Sequence, residues 1–387
     1  MKSTVARRMD DFSPFYVMEL LQRAKELEAQ GKEIIHMEVG EPDFSTPSCI
    51  VDAATQYIQA REVKYTAAAG LLELRTKISH FYQTNYNVII DPQRIFITPG
   101  ASGAFLLALA ISLNAEEEVL MADPCYPCNH NFVRLVGAKT KFIQVNEQTD
   151  FQLSAELIKQ HWTDKTKGVL IASPSNPTGT LISDDEFQRS IKQVKLLGGK
   201  FYSDEIYHGL VYANKARSAL EFSDDVFVIN SFSKYFGMTG WRIGWLVVPE
   251  MYVDAAERFA QTVFISTATH SQYAALAAFS TKNIAELESR KQQFEKRRDF
   301  LYENLIRLGF NISVKPEGAF YIYADCSRFT NDSFKFAKEL LESQGVAVTP
   351  GKDFGNNNSN HYIRFAYTAS IAKIAIGIQR LEKFICQ

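Results

Sequence analysis

Residues 168–207 read GVLIASPSNPTGTLISDDEFQRSIKQVKLLGGKFYSDEIY. The apolar run 168–172 ends in Ser-Pro-Ser-Asn-Pro and predicts a strand buried on both faces. Residues 184–197 carry apolar side chains at helical spacing, and Gly198-Gly199 suits the helix end. A second apolar run, 200–203, closes the unit. Strand, helix and strand in this order make a crossover between parallel strands. The pattern repeats outward. Runs at 94–98, 119–122, 226–230 and 243–248 read as further buried strands, and 102–113 and 154–160 as helices. This predicts an α/β fold in which a mostly parallel sheet is flanked by helices, in a large domain over 44–282. Beyond it lie a long charged helix (283–308), a Gly309-Phe310 turn and strands near 312–314 and 320–323. A helix (333–344), strands at 346–349 and 363–365 and a closing helix follow. They predict a smaller α+β domain over 283–387. Residues 1–43 form an arm whose helix, 17–30, packs against that domain, because a segment ahead of the main domain needs a partner surface.

Composition narrows the function classes. At 387 residues the chain exceeds what one core usually organises. With 28 Phe, 17 Tyr and 46% hydrophobic residues it does not belong to the disordered class. Lys and Arg number 42 against 44 Asp and Glu. That balance leaves no electrostatic footprint for nucleic acid and no general attraction to anionic membranes. The longest apolar run, 104–113, is too short to span a bilayer. Near the start, Arg7 and Arg8 precede Asp10 and Asp11 with no apolar stretch, which argues against a signal peptide. Five scattered cysteines, an odd number, point to a reducing, cytoplasmic setting.

In open parallel sheets, ligands bind beyond the carboxyl ends of the strands. The unusual residues of this chain sit there: Gly100-Ala101-Ser102-Gly103, Asp123-Pro-Cys125-Tyr126, Ser175-Asn176-Pro-Thr-Gly179, Asp204-Glu-Ile-Tyr207 and Ser231-Phe-Ser233-Lys234. Five strand ends bring an acid, a lysine, an amide, hydroxyls and a glycine turn to one crevice. A lysine and an acid beside an aromatic residue and a phosphate cradle suit pyridoxal 5'-phosphate. Residues 231–245, SFSKYFGMTGWRIGW, resemble the cofactor-lysine signature of class I and II aminotransferases. In family order stand also Val39-Gly40-Glu-Pro-Asp43, the segment from Lys64 and Tyr65 through Gly70 to Arg75, Asn176-Pro-Thr-Gly179, Asp204-Glu-Ile-Tyr207 and Tyr362-Ile-Arg364-Phe365. Six ordered motifs from Phe12 onward make the likeness specific. It implies a fold type I enzyme of the aspartate aminotransferase superfamily.

The resemblance implies a role for each residue. Lys234 holds the cofactor and then moves the proton at the substrate Cα. Asp204 keeps the pyridine nitrogen protonated, although an Asp at a strand end is as often a helix cap. Tyr207 and Asn176 bond the ring oxygen, and Tyr126 stacks on the ring. Asn176 before Pro177 also suits plain turn chemistry, and an aromatic after a strand is commonly core. Ala101 and Ser102 open a helix whose free N–H groups favour an anion. Ser231, Ser233 and Arg242 add donors for the phosphate. Tyr65 reaches the phosphate of a second subunit, which implies a homodimer with shared sites. Arg364 grips the substrate α-carboxylate, helped by Gly40 and Asn176. The implied reaction carries the amino group of an L-α-amino acid to a 2-oxo acid, 2-oxoglutarate or pyruvate, by a ping-pong route.

Three alternatives stand beside this reading. A β-eliminating C–S lyase shares the fold and the cofactor contacts. A thiol redox protein could use Cys125-Tyr-Pro-Cys128, but no second cysteine pair or further ligand beside His130 completes a metal site. Regulators with an aminotransferase-like domain need a DNA-binding module ahead of it, and about a dozen residues are too few for one. For the substrate side chain, Ser102 stands where some relatives that accept acidic substrates have a lysine. Its identity leans towards neutral or aromatic substrates, with Phe15 and Tyr16 either lining the pocket or anchoring the arm.

Overall fold

The computed structural model describes residues 5–386 apart from 7, 10, 11, 13, 14, 213 and 214. Arg7, Asp10 and Asp11, used above for the amino-terminal expectation, lie outside the described residues. In chain order the strands are β1 (Ile35–His36), β2 (Ile95–Thr98), β3 (Glu118–Asp123), β4 (Lys139–Gln144), β5 (Thr166–Ala172) and β6 (Lys200–Asp204). They continue as β7 (Val226–Ser231), β8 (Gly244–Val247), β9 (Tyr321–Asp325), β10 (Val346–Ala347), β11 (Thr349–Pro350) and β12 (Tyr362–Ala366).

A seven-stranded sheet runs in the order β2-β8-β7-β6-β5-β3-β4. Only β8 is antiparallel to its neighbours. Every residue of β7 is buried, and so are four of the five in β6. Strands covered on both faces read as unbroken apolar runs, which is why the sequence showed them. The edge strand β4 had no such run. Its Lys139 and Gln144 are exposed, and charge on an edge hinders further pairing.

The helix Asp184–Leu196 begins where Ser183 Oγ accepts from the Glu186 amide, with three acidic residues in its first turn. Gly198 ends it at φ +69°, a conformation that favours glycine. The helix Gly100–Ala110 begins two residues earlier than its periodicity predicts. Its apolar residues point all round because it lies buried against the sheet, so no polar stripe marks its start.

A three-stranded antiparallel sheet, β11-β12-β9, forms a second layer system near the carboxyl end. The strand expected at 312–314 is absent. Asn311 alone bridges Asp325, and the chain then turns towards Pro316, whose carbonyl accepts from Arg298 (3.2 Å). Strand β1 pairs in parallel with β10, Ile35 opposite Val346. The amino-terminal helix Tyr16–Ala29 buries Leu20, Ala24 and Leu27. It is tied to the helix Ser333–Gln344 by Arg23–Glu342 (2.5 Å) and by the Tyr16 and Phe334 rings, 4.9 Å apart. The first and last parts of the chain therefore pack together.

Candidate active site

Strands β3, β5, β6 and β7 are parallel, so their carboxyl ends share one rim of the sheet. The order changes direction between β3 and β5, with β4 outside β3 and β6 on the far side of β5. A cavity of about 380 Å³ opens at this switch point. Gly40, Ala101, Ser102, Tyr126, Asn176, Asp204, Tyr207, Ser231, Ser233, Lys234, Arg242 and Arg364 all line it. Tyr65 does not; its side chain is 81% exposed.

One end of the cavity is a concentration of donors. The helix Gly100–Ala110 points its amino terminus there, bringing Ala101 and Ser102 to the cavity. Ser231 Oγ lies 2.9 Å from Ser233 Oγ and accepts from the Ser233 amide (3.0 Å). The Arg242 guanidinium anchors on the Thr239 carbonyl (3.0 Å). Gly100, at φ +68°, lets it approach: a Cβ there would sit 2.5 Å from Arg242 Nη2. At Gly244 a Cβ would meet the Asn230 carbonyl oxygen, Gly100 and the Ala101 nitrogen within 2.9 Å, so β8 closes this cradle from behind.

The floor is acidic. Asp204, at the end of β6, is 5% exposed. Its Oδ1 accepts from the Ile206 amide (3.3 Å) and its Oδ2 from Asn129 Nδ2 (3.5 Å). Burial pushes its pKa up to about 6, against those hydrogen bonds and the nearby Lys234 charge. Lys234 Nζ donates to the Gly40 carbonyl (2.8 Å). Burial, then the positive charges of Arg364 and Arg242, pull its pKa down to about 8, opposed by Glu41 and Asp204. An amine so placed is a nucleophile and a proton acceptor near neutral pH.

At the other end, Arg364 on β12 is 5% exposed. Its Nη1 donates to Asn176 Oδ1 (2.8 Å), and its Nη2 to the Glu38 carbonyl (2.6 Å) and Thr349 Oγ1 (3.2 Å). Its Nε is buried with no hydrogen-bond partner. The Tyr321 and Phe354 rings flank the guanidinium at 4.1 and 4.8 Å. Tyr321 also meets Tyr207, hydroxyl to hydroxyl at 2.9 Å. Gly40 makes room for it, since a Cβ there would lie 1.8 Å from Tyr321 Oη.

A family model for aminotransferase class I and II matches residues 32–381. The chain belongs to the class I and II aminotransferases. It is 38% identical to a (5-formylfuran-3-yl)methyl phosphate transaminase of Methanocaldococcus jannaschii, over 98% of this chain and 99% of that one. It is 34% identical to a valine–pyruvate aminotransferase of Mycobacterium tuberculosis, covering 96% of each chain. A crystal structure of an aminotransferase from Mycobacterium tuberculosis superposes with a TM-score of 0.96 at 34% identity, over the whole of both chains. The protein is an aminotransferase that depends on pyridoxal phosphate, on the fold type I architecture. None of these three relatives is named for lyase chemistry.

The thiol alternative is corrected here. A reactive Cys-x-x-Cys pair needs a lowered pKa. Burial instead pushes both the Cys125 and the Cys128 thiols up, and Cys128 Sγ donates to Tyr126 Oη (3.2 Å). Asn129, Tyr321, Asp353 and Phe354 line or support the cavity and were missed in the sequence. Tyr321 meets Tyr207 across 114 positions, a separation that leaves no local signal.

Proposed function

We propose that Lys234, Asp204 and Tyr207 form the catalytic group of a ping-pong transamination between an L-α-amino acid and a 2-oxo acid, 2-oxoglutarate or pyruvate. The observation that carries it is one cavity lined together by an amine, a buried acid and a buried arginine. The residues present fit pyridoxal phosphate. The donor cradle of Ala101, Ser102, Ser231, Ser233 and Arg242 suits a phosphate. A buried Asp204 suits a ring nitrogen, and Tyr126, Asn176 and Tyr207 border the space between. Bound there, the cofactor supplies an aldehyde for the substrate amine and an electron-accepting ring for the substrate Cα.

This chain's residues do the rest. Asp204 ionises beside a cation and holds the proton on its partner. Lys234 Nζ takes the Cα proton and returns it. Tyr207 and Asn176 donate towards the ring oxygen, and Asn176 also positions Arg364. Arg364, backed by Gly40, presents the buried Nε to the α-carboxylate. Tyr65 points to solvent, where a second copy would receive it at its cradle, and this supports a homodimer. All five cysteines are free thiols, which supports a cytoplasmic setting. The arm 1–43 and the residues 283–387 would move as one small domain against 44–282, as the β1–β10 pairing favours.

Absorbance spectroscopy of the purified protein loaded with pyridoxal phosphate tests the reading. A visible band should be lost on adding an amino acid and restored by pyruvate or 2-oxoglutarate. Lys234→Ala should abolish turnover, roughly 10⁴-fold or more. Release of ammonia without recovery by an oxo acid would instead mark elimination and overturn it.

A further inference from the structure

We infer that the substrate side chain lies against an apolar, cation-free wall made by the first turn of the helix Tyr16–Ala29, so that the amino donor is a neutral L-amino acid with an aliphatic or aromatic side chain. This rests on the transamination reading and on Arg364 as the carboxylate anchor.

A chain of contacts fixes where the side chain goes. Phe354 stacks on the Arg364 guanidinium at 4.8 Å. Its neighbour Asp353 is 7% exposed and accepts from the amides of Tyr16 (2.7 Å) and Val17 (2.8 Å). The helix start is thereby pinned one side chain away from the carboxylate site. Phe15, just ahead of the helix, Val17 and Met18 from its first turn and Leu21 from the next line the cavity. Apolar walls select by the area they remove from water.

Charge points the same way. Among the described residues the cations lining the cavity are Lys234, Arg242 and Arg364, and the reading above gives each a task. The remaining positive feature is the helix amino terminus, whose N–H groups ordinarily attract anions. Asp353 already occupies two of them with its own carboxylate. The residue that a second copy would bring, Tyr65, is uncharged, so a distal carboxylate would meet no unassigned cation and would lie beside Asp353 and Glu41, which also line the cavity. A distal ammonium gains little, because Asp353 is taken up by two amides and Glu41 is solvent-exposed. The acceptor enters the same space, so pyruvate is favoured over 2-oxoglutarate.

The test is the first half-reaction, followed by rapid mixing of the loaded enzyme with leucine, methionine, phenylalanine, aspartate and lysine. The best apolar donor should react about 100-fold faster, per unit concentration, than aspartate or lysine. A ratio of about 10 or more supports the inference and a smaller one overturns it. Binding of the unreactive α-methyl analogues by calorimetry should follow the same order, leucine over aspartate, and the reverse order overturns it. Met18 is 56% exposed, so Met18→Arg tests the wall without disturbing the core. It should raise the aspartate-to-leucine ratio about 10-fold, an effect that shrinks with salt; an unchanged ratio overturns the placement of the wall. A band that is present but that no amino acid alters would overturn the transamination reading itself, and this inference with it.

Discussion

Replacing Arg364 by lysine keeps the charge and removes the planar fork. The arginine makes contacts to Asn176, Glu38 and Thr349 through its two terminal nitrogens and has a buried Nε left over. A lysine ammonium presents its three donors from one point, so it cannot hold those acceptors and a carboxylate in the same geometry. The loss of one charge-assisted contact costs about 2–3 kcal/mol. That corresponds to a roughly 30- to 160-fold fall in kcat/KM for an amino acid. Comparing L-alanine with ethylamine, which lacks the carboxylate, isolates the effect. The preference for alanine should shrink by the same factor, whereas general damage to the site would slow both alike. A melting curve and the cofactor's visible band serve as controls. If both controls match the native protein and the preference changes by less than ~3-fold, Arg364 is not the carboxylate anchor.

Two further outcomes follow from groups outside the reacting centre. His36 lies between Glu38 (2.6 Å) and Glu28 (3.1 Å), and the hydrogen bond to Glu38 is the main reason its pKa rises to about 9. The protonated ring is favoured in the fold, so its contribution is fully present below the unfolded pKa of about 6.5 and is lost as pH rises towards 9. The melting temperature should therefore decline across that window, and His36→Gln should flatten the decline; parallel curves for the two proteins would reject the assignment. Asp123, at the end of β3, accepts from the Asn356 amide (3.1 Å), while Cys125 N–H donates to the Phe354 carbonyl (2.8 Å). Asp123→Ala should loosen the loop that carries Phe354, lowering stability by about 1 kcal/mol and raising KM more than it changes kcat. An unaltered KM would show that the loop is held without it.

Much of the fold was legible because burial on both faces leaves a mark in composition. Strands β5 and β7 hold the apolar runs 169–172 and 226–229, β6 keeps a shorter apolar pair, and each of the three ends in a residue that lines the cavity. Strand β4 was missed because an edge strand carries lysines and lacks that mark. The run 312–314 was misread as a strand because its apolar residues pack without completing a ladder. For the site, the candidate residues came from the resemblance of ordered motifs to the family, and all of them but Tyr65 line one cavity. Their supports did not come from it. Asn129 beneath Asp204, Tyr321 beside Tyr207, and Asp353 beneath the amino-terminal helix are ordinary residues whose meaning comes from their neighbours.

By itself, then, the sequence determined the parallel α/β layout and the strand ends that gather unusual residues, because hydrophobic runs are local properties, and its likeness to the family pointed to the candidate lysine, acid and arginine. Only the tertiary structure decided how those groups behave. The pKa of Lys234 falls to about 8 first because folding buries it, and then because Arg364, far along the chain, and Arg242, in its own motif, add positive charge nearby. Tyr65 is left outside the cavity because its segment lies on the surface. The apolar turn at Phe15 reaches the substrate end because Asp353, over 330 positions away, caps its helix. Long-range contacts of this kind depend on how the two ends of the chain pack together, and no local pattern records that.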